Sequence, residues 1–147
     1  PCLTIIGKGY KEEYLKSYIK ENNIYKKVKL IGYKKNPFPY IVKSDILILS
    51  SKFEGLPNIL LEAQFLKKYI ISTNCPTGPR EILKNGKYGF LCKVGNYQEI
   101  SKKIISYQKT KHQIKLYNVK ELAYKSLSRF DYKFNLNKYY LEIKKLQ

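Results

Sequence analysis

The sequence predicts an α/β domain built on a parallel sheet with helices on both faces, and three observations lead there. Short runs rich in Ile, Leu and Val recur along the chain, and stretches of helical spacing separate them. None of these runs alternates cleanly between apolar and polar residues, as a strand with one wet face would. Strands that alternate with helices of about 10 to 15 residues form βαβ units and hence a parallel sheet covered on both sides.

The strand-length runs, in order, are residues 3–7, 28–32, 46–50, 69–73 and 89–94. After the first, residues 10–22 place Tyr14, Leu15, Tyr18 and Ile19 on one stripe. The third leads into residues 57–68, which open with Pro57 at a helix-entry position and carry Ile59, Leu60, Ala63 and Leu66. Residues 96–108 repeat the pattern with Ile100, Ile104 and Tyr107. Beyond residue 95 three helical stretches follow with no further strand. The last, residues 132–147, sets Leu136, Tyr139, Tyr140, Ile143 and Leu146 on a stripe that needs a surface to lie on.

Composition narrows the classes of function. The 147 residues give room for one core, and 29 Lys+Arg against 11 Asp+Glu leave a net charge of +18. With 44% hydrophobic and 14% aromatic residues, the chain is too apolar for a disordered basic tail. No apolar run approaches the roughly 18 to 20 residues that cross a bilayer, and no basic segment leads into a cleavable signal. Cys2, Cys75 and Cys92 are widely spaced, without a CxxC or a nearby His to complete a zinc site, and so fit a reducing cytosol. Met is absent and residue 1 already enters an apolar run, so the chain is expected to be a piece of something longer. Arg80 and Arg129 are the only arginines. Reading a base sequence relies on the guanidinium fork, so a Lys-dominated excess suits diffuse attraction to an anionic surface.

HExxH, GxSxG and P-loop motifs are missing, and the single histidine, His112, reads as a surface residue on a Lys-rich helix. Gly7-Lys8-Gly9 follows a strand but lacks the next glycine of a dinucleotide fingerprint, and reads as a tight turn. The informative stretch is residues 50–63, where a strand end, a Gly-containing loop with Glu54 and a helix start with Glu62 come in succession. In a doubly wound sheet such loops line the ligand crevice, and a helix N-terminus there favours an anion such as phosphate. Glu62 stands among Leu60, Leu61, Ala63 and Phe65. A carboxylate so placed should be exposed or accept hydrogen bonds from a group such as vicinal hydroxyls, which ribose supplies.

Phe53-Glu54-Gly55-Leu56-Pro57-Asn58, through Glu62-Ala63, resembles the E-x7-E signature of the family 4 retaining glycosyltransferases. The resemblance continues through Leu30-Ile31-Gly32, Asn36-Pro37, the segment 72–83, the segment 86–91 and Arg129-Phe130. Two glutamates eight apart occur by chance in many helical proteins; this ordered series along most of the chain does not.

The resemblance implies one half of a GT-B fold: a Rossmann-like, donor-binding domain over residues 1–131 without its first strand-helix unit. Residues 132–147 would be a helix crossing back to an N-terminal domain. By position, Glu54 would be the catalytic carboxylate beside the donor sugar, and Glu62 would bind the ribose hydroxyls. Gly55, Leu56, Pro57 and Asn58 would offer backbone to sugar and diphosphate, and Tyr33 would flank the base. Gly78, Pro79 and Arg80 would build a turn and a helix start.

The implied activity is retaining transfer of a hexose or N-acetylhexosamine from a UDP-linked nucleotide sugar to a glycan or lipid-linked acceptor. No cofactor and no metal are expected, in keeping with the lack of a DxD motif. The setting implied is bacterial, on the cytoplasmic face, and this chain alone would be inactive; the lysine excess adds an anionic membrane surface as expected partner and no specific nucleic acid. Two rivals stand beside it. One is a noncatalytic interaction module with the same fold. The other is a basic nucleic-acid-binding domain, which would need Arg-rich patches or a stacking platform, whereas the tyrosines are scattered through helices.

Overall fold

A computed structural model of the chain describes residues 1–145. The chain divides into two compact units, residues 1–40 and the residues from Ile41 onward.

In the first unit, β1 (Leu3–Ile5) and β2 (Val28–Leu30) pair in parallel, Leu3 opposite Val28 and Ile5 opposite Leu30, joined through α1 (Glu12–Glu21). The pairing extends to an amide of Gly7 that donates to the Gly32 carbonyl at 3.0 Å, although Gly7 itself, at φ +139°, leaves strand geometry. Glu12 and Glu13 in the first turn of α1 and Lys20 in the last suit the helix dipole. The stripe expected on this helix divides. Leu15 and Ile19 are half-buried, but Tyr14 and Tyr18 remain exposed, with ring centroids 6.3 Å apart. A sheet of two three-residue strands is too narrow to cover a four-residue stripe.

Next comes α2 (Phe38–Lys43), which the sequence pattern does not predict. The Asn36 side chain accepts from the Phe38 amide at 3.0 Å, a local turn that leads the chain into the helix.

In the second unit, β3 (Ile46–Leu49), β4 (Tyr69–Thr73) and β5 (Phe90–Cys92) form a parallel sheet in the order β3-β4-β5. Strands three and five are shorter than the apolar runs that mark them. Paired residues share a face, so Leu47, Leu49, Ile70, Ser72 and Leu91 lie on one side of this sheet. Against that side α3 (Asn58–Phe65) and α4 (Pro79–Ile82) deliver Leu60, Ala63, Ile82 and Leu83 to a fully buried cluster. The other side carries Tyr69 and Phe90. Over it lies α5 (Tyr97–Thr110), with Tyr107 stacked on Tyr69 at 5.0 Å and the Lys103 ammonium 4.2 Å from the Phe90 ring centroid. Helices on both faces explain why Ile70, Ile71, Ser72 and Thr73 of β4 are all buried, and why no polar alternation marks the strand.

After α5 come α6 (Ile114–Lys125), a 3-10 turn (Ser126–Phe130) and α7 (Tyr132–Lys144). Arg129 in the turn donates to the carbonyls of Ile82 at 3.1 Å and Glu81 at 3.4 Å, closing the C-terminal end of α4. On α7, Leu136, Tyr139, Tyr140 and Ile143 are all exposed. Leu146 lies outside the described residues. No helix among the described residues is long and apolar enough to cross a membrane.

Candidate functional site

Residues 50–57 leave the carboxyl end of β3 and enter α3, and the segment after β4 holds them in place. The Thr73 hydroxyl donates to the Ser51 carbonyl at 2.6 Å, and the Thr77 hydroxyl donates to the Glu54 carbonyl. Gly78, at φ +81°, lies against the Gly55 carbonyl and the Pro57 ring, so closely that a Cβ there would collide with both. Gly78 and Pro79 also begin α4, and Arg80 donates to the Asn74 side chain at 3.2 Å, so this trio builds the turn and helix start expected of it.

Pro57 does not begin the helix as the sequence suggests. Its ψ of 98° is extended, which makes it the residue before the first turn, and α3 starts at Asn58. Proline offers no side-chain acceptor; the Leu60 amide donates to the Pro57 carbonyl at 3.0 Å, and no side chain among the described residues caps the Asn58 and Ile59 amides, which stay open. Gly55, Leu56 and Asn58 around it are exposed, while Pro57 is buried.

Both carboxylates belong to this unit. Glu54 is half-buried at the middle of the loop, and its side chain has no hydrogen bond or ion pair with the described residues. Glu62 follows Asn58 by four residues, one turn further along the same face of α3, and it too is half-buried without a hydrogen-bond or ion-pair partner among the described residues. Two half-buried carboxylates with unfilled acceptor capacity, either side of open helix amides, suit a ligand that brings hydroxyls to Glu62 and an anion to the amides.

Tyr33 stands in the first unit. It follows Gly32, whose φ is +66°, and it is exposed. That unit also holds a cleft of about 240 Å³ lined by Gly7, Lys8, Gly9, Glu12 and Gly32. Burial, with the Glu99 carboxylate adding to it, raises the Cys92 thiol above its ordinary pKa, which keeps it protonated and unreactive. Sequence reasoning missed Thr73 and Thr77. No pattern marks a threonine whose partner is a backbone carbonyl more than twenty residues upstream.

Residues 2–126 match the family model described as "Glycosyl transferases group 1". A glycosyltransferase of Methanocaldococcus jannaschii is 40% identical over 104 residues, covering 62% of this chain and 26% of that protein. The Campylobacter jejuni N-acetylgalactosamine-N,N'-diacetylbacillosaminyl-diphospho-undecaprenol 4-alpha-N-acetylgalactosaminyltransferase is 34% identical over 94 residues, covering 64% of this chain and 26% of its own. The Anabaena protein HepE, solved in complex with UDP, superposes with a TM-score of 0.80 at 20% identity, over 99% of this chain and 41% of HepE. At that identity the likeness is one of fold. The chain spans about a quarter of the length of the curated relatives it matches.

Proposed function

This chain belongs to the glycosyl transferases group 1 family, and we propose that it is the donor-binding part of an enzyme that moves a sugar from a UDP-sugar to a glycan or lipid-linked acceptor. The observation that carries the reading is the pair Glu54 and Glu62, both half-buried and unpartnered among the described residues, on one strand-turn-helix unit with open amides between them. Glu62 accepts hydrogen bonds from the two ribose hydroxyls. The α3 amides and the backbone of residues 55–58 face the diphosphate, and Glu54 lies beside the transferred sugar. An acceptor hydroxyl attacks the anomeric carbon on the face from which the diphosphate departs, the bond from that carbon to the diphosphate oxygen breaks, and UDP leaves with the electron pair and takes up the hydroxyl proton. Fixed dipoles at the start of α3 stabilise the charge that develops on the leaving diphosphate.

UDP as carrier is supported by the fold likeness to HepE, which was solved with UDP and with UDP-glucose. A lipid-linked acceptor is supported by the diphospho-undecaprenol in the name of the Campylobacter relative. Retention of anomeric configuration and independence of metal belong to the same reading, the latter because the sequence has no DxD motif. An upstream acceptor-binding domain completes the cleft and covers the exposed face of α7, since the acceptor must be held within reach of the anomeric carbon. The lysine surface draws the enzyme to an anionic cytoplasmic leaflet; sedimentation with anionic but not with zwitterionic vesicles is expected, and equal sedimentation with both removes that element.

Titration of UDP into the whole protein tests the core of the proposal. Saturable binding is expected, and Glu62→Ala should weaken it by about 1 to 3 kcal/mol, the range for lost charge-assisted hydrogen bonds. Unchanged affinity in a folded variant overturns the ribose assignment. Binding that vanishes with salt and is shared by DNA would reduce the site to charge alone.

A further inference from the structure

We infer that Thr77 is a positioning residue for Glu54, acting through the backbone rather than by touching substrate; the inference rests on the function proposed above. The Thr77 hydroxyl donates to the Glu54 carbonyl, which is part of the peptide plane joining Glu54 to Gly55. The next plane, joining Gly55 to Leu56, has its carbonyl against the Cα of Gly78. Peptide units are rigid, so fixing two successive carbonyls fixes the dihedrals of Gly55 between them and, because the Glu54 Cα lies in the first plane, the position of that Cα. On the upstream side Thr73 holds the Ser51 carbonyl at 2.6 Å, and its own side chain is buried. The loop is thus restrained before and after Glu54, while the Glu54 carboxylate itself makes no hydrogen bond or ion pair with the described residues. A carboxylate that must sit beside a reacting sugar needs its Cα held and its oxygens available, and this arrangement supplies both.

Thr73 and Thr77 divide the work by burial. The Thr73 hydroxyl is inside the fold and spends its one proton on the Ser51 carbonyl, just past the end of β3. Thr77 is exposed, so its single hydrogen bond adds little to global stability while it orients the catalytic loop. Its loss should therefore weigh on turnover far more than on UDP affinity, for which Glu62 and the α3 amides lie beyond the peptide that Thr77 holds.

The test uses the whole protein with four readouts: thermal melting, UDP affinity, the affinity of UDP-glucose and UDP-N-acetylgalactosamine relative to UDP, and UDP release from either donor. Thr77→Val should keep its melting temperature and hold UDP affinity within about 2-fold, while release falls about 10- to 100-fold, the scale of a small misplacement of a reacting group. Thr77→Ser keeps the hydroxyl and should restore release to within about 3-fold, and in a Glu54→Ala background Thr77→Val should have no further effect, because both act on one element. If Thr77→Val does not fold, Thr77→Ala removes the hydroxyl without added bulk and is read the same way. If neither donor is turned over, a selective loss of donor affinity relative to UDP is the expected result. Full activity of the valine variant, failure of serine to rescue, or an equal loss in the Glu54→Ala background overturns the inference. Wild-type protein that binds no UDP overturns the proposed function itself, whereas wild-type binding with an indifferent Thr77→Val overturns only the role of Thr77.

Discussion

Helices α3 and α7 both carry apolar residues at helical spacing, and they end in opposite states. Leu60 and Ala63 of α3 are 0% exposed, whereas Leu136 and Ile143 of α7 are 52% and 57% exposed. The difference comes from what precedes each helix. The loop of residues 50–57 turns α3 back along the strand it has just left, onto the face where Leu47, Leu49 and Ile70 wait. A 3-10 turn after another helix leads into α7, so no strand directs it to the sheet. Periodicity identifies the face of a helix that seeks cover; connectivity decides whether this part of the chain supplies it.

The most direct way to break that contrast is to truncate both stripes. Leu60→Ala should cost about 2 to 5 kcal/mol, because the core around it is closed and leaves a cavity. Leu136→Ala in the chain of 147 residues should change stability by no more than about 0.5 kcal/mol, as for an ordinary exposed position. Urea unfolding of the two variants measures both. In the whole protein the Leu136 effect should grow, since the proposed upstream domain would bury that face. A Leu136 cost equal to that of Leu60 in the chain alone would show the contrast to be mistaken.

A smaller effect separates the loop that enters α3 from looser turns. Gly78→Ala places a Cβ against the Gly55 carbonyl at a φ of +81°, and about 1 to 3 kcal/mol of destabilisation is expected from strain of this kind. Gly9 meets no atom within 4 Å of a built Cβ, and Gly9→Ala should stay within about 0.5 kcal/mol. Thermal melts of the pair decide it: two equal shifts would mean that the loop gives way rather than resisting.

The same contrast explains how much of the molecule was legible in its sequence. The five strands of the described residues lie where Ile, Leu and Val cluster; β4, covered on both faces, keeps the predicted bounds at residues 69–73, whereas Lys29 of β2 is exposed. Helix α2 was not legible, its six residues being too few for a period of 3.6 to repeat, whereas the four-residue α4 showed only its start, through Gly78, Pro79 and Arg80. The stripe on α1 was legible but its burial was not, since Tyr14 and Tyr18 look the same in sequence whether covered or exposed. In the candidate site, Glu54 and Glu62 stood out because a carboxylate among apolar residues demands an explanation. The Thr73 and Thr77 hydroxyls did not. Their acceptors are main-chain carbonyls on another loop, and any residue could have provided those.

The smallest effect expected concerns how the end of α3 is tied to α6, and it depends on pH. Just beyond α3, the Lys67 ammonium lies 2.7 Å from the Glu121 carboxylate and 4.9 Å from the centroid of the Tyr124 ring, while Phe65 of α3 packs on Tyr124 at 5.9 Å. The hydrogen bond from Lys67 holds the Glu121 carboxyl below its ordinary pKa, and the same bond to Glu121 raises that of Lys67. A carboxyl with a lowered folded value stabilises fully above the unfolded value, about 4.3, and loses that contribution as pH falls through the folded one. For Lys67 the contribution is complete below the unfolded value, about 10.4, and fades as pH rises through the raised folded value. Between these limits the tie is intact. It lies at the surface, so its contribution is small and screened by salt. The melting temperature of wild type should therefore exceed that of Lys67→Gln by a constant small margin across neutral pH, and the margin should close in acid as Glu121 takes up its proton. Raising ionic strength at neutral pH should narrow it as well. A margin that persists undiminished into strong acid would show that Lys67 acts by packing its stem on Tyr124, and that α3 is held to α6 by apolar contact alone.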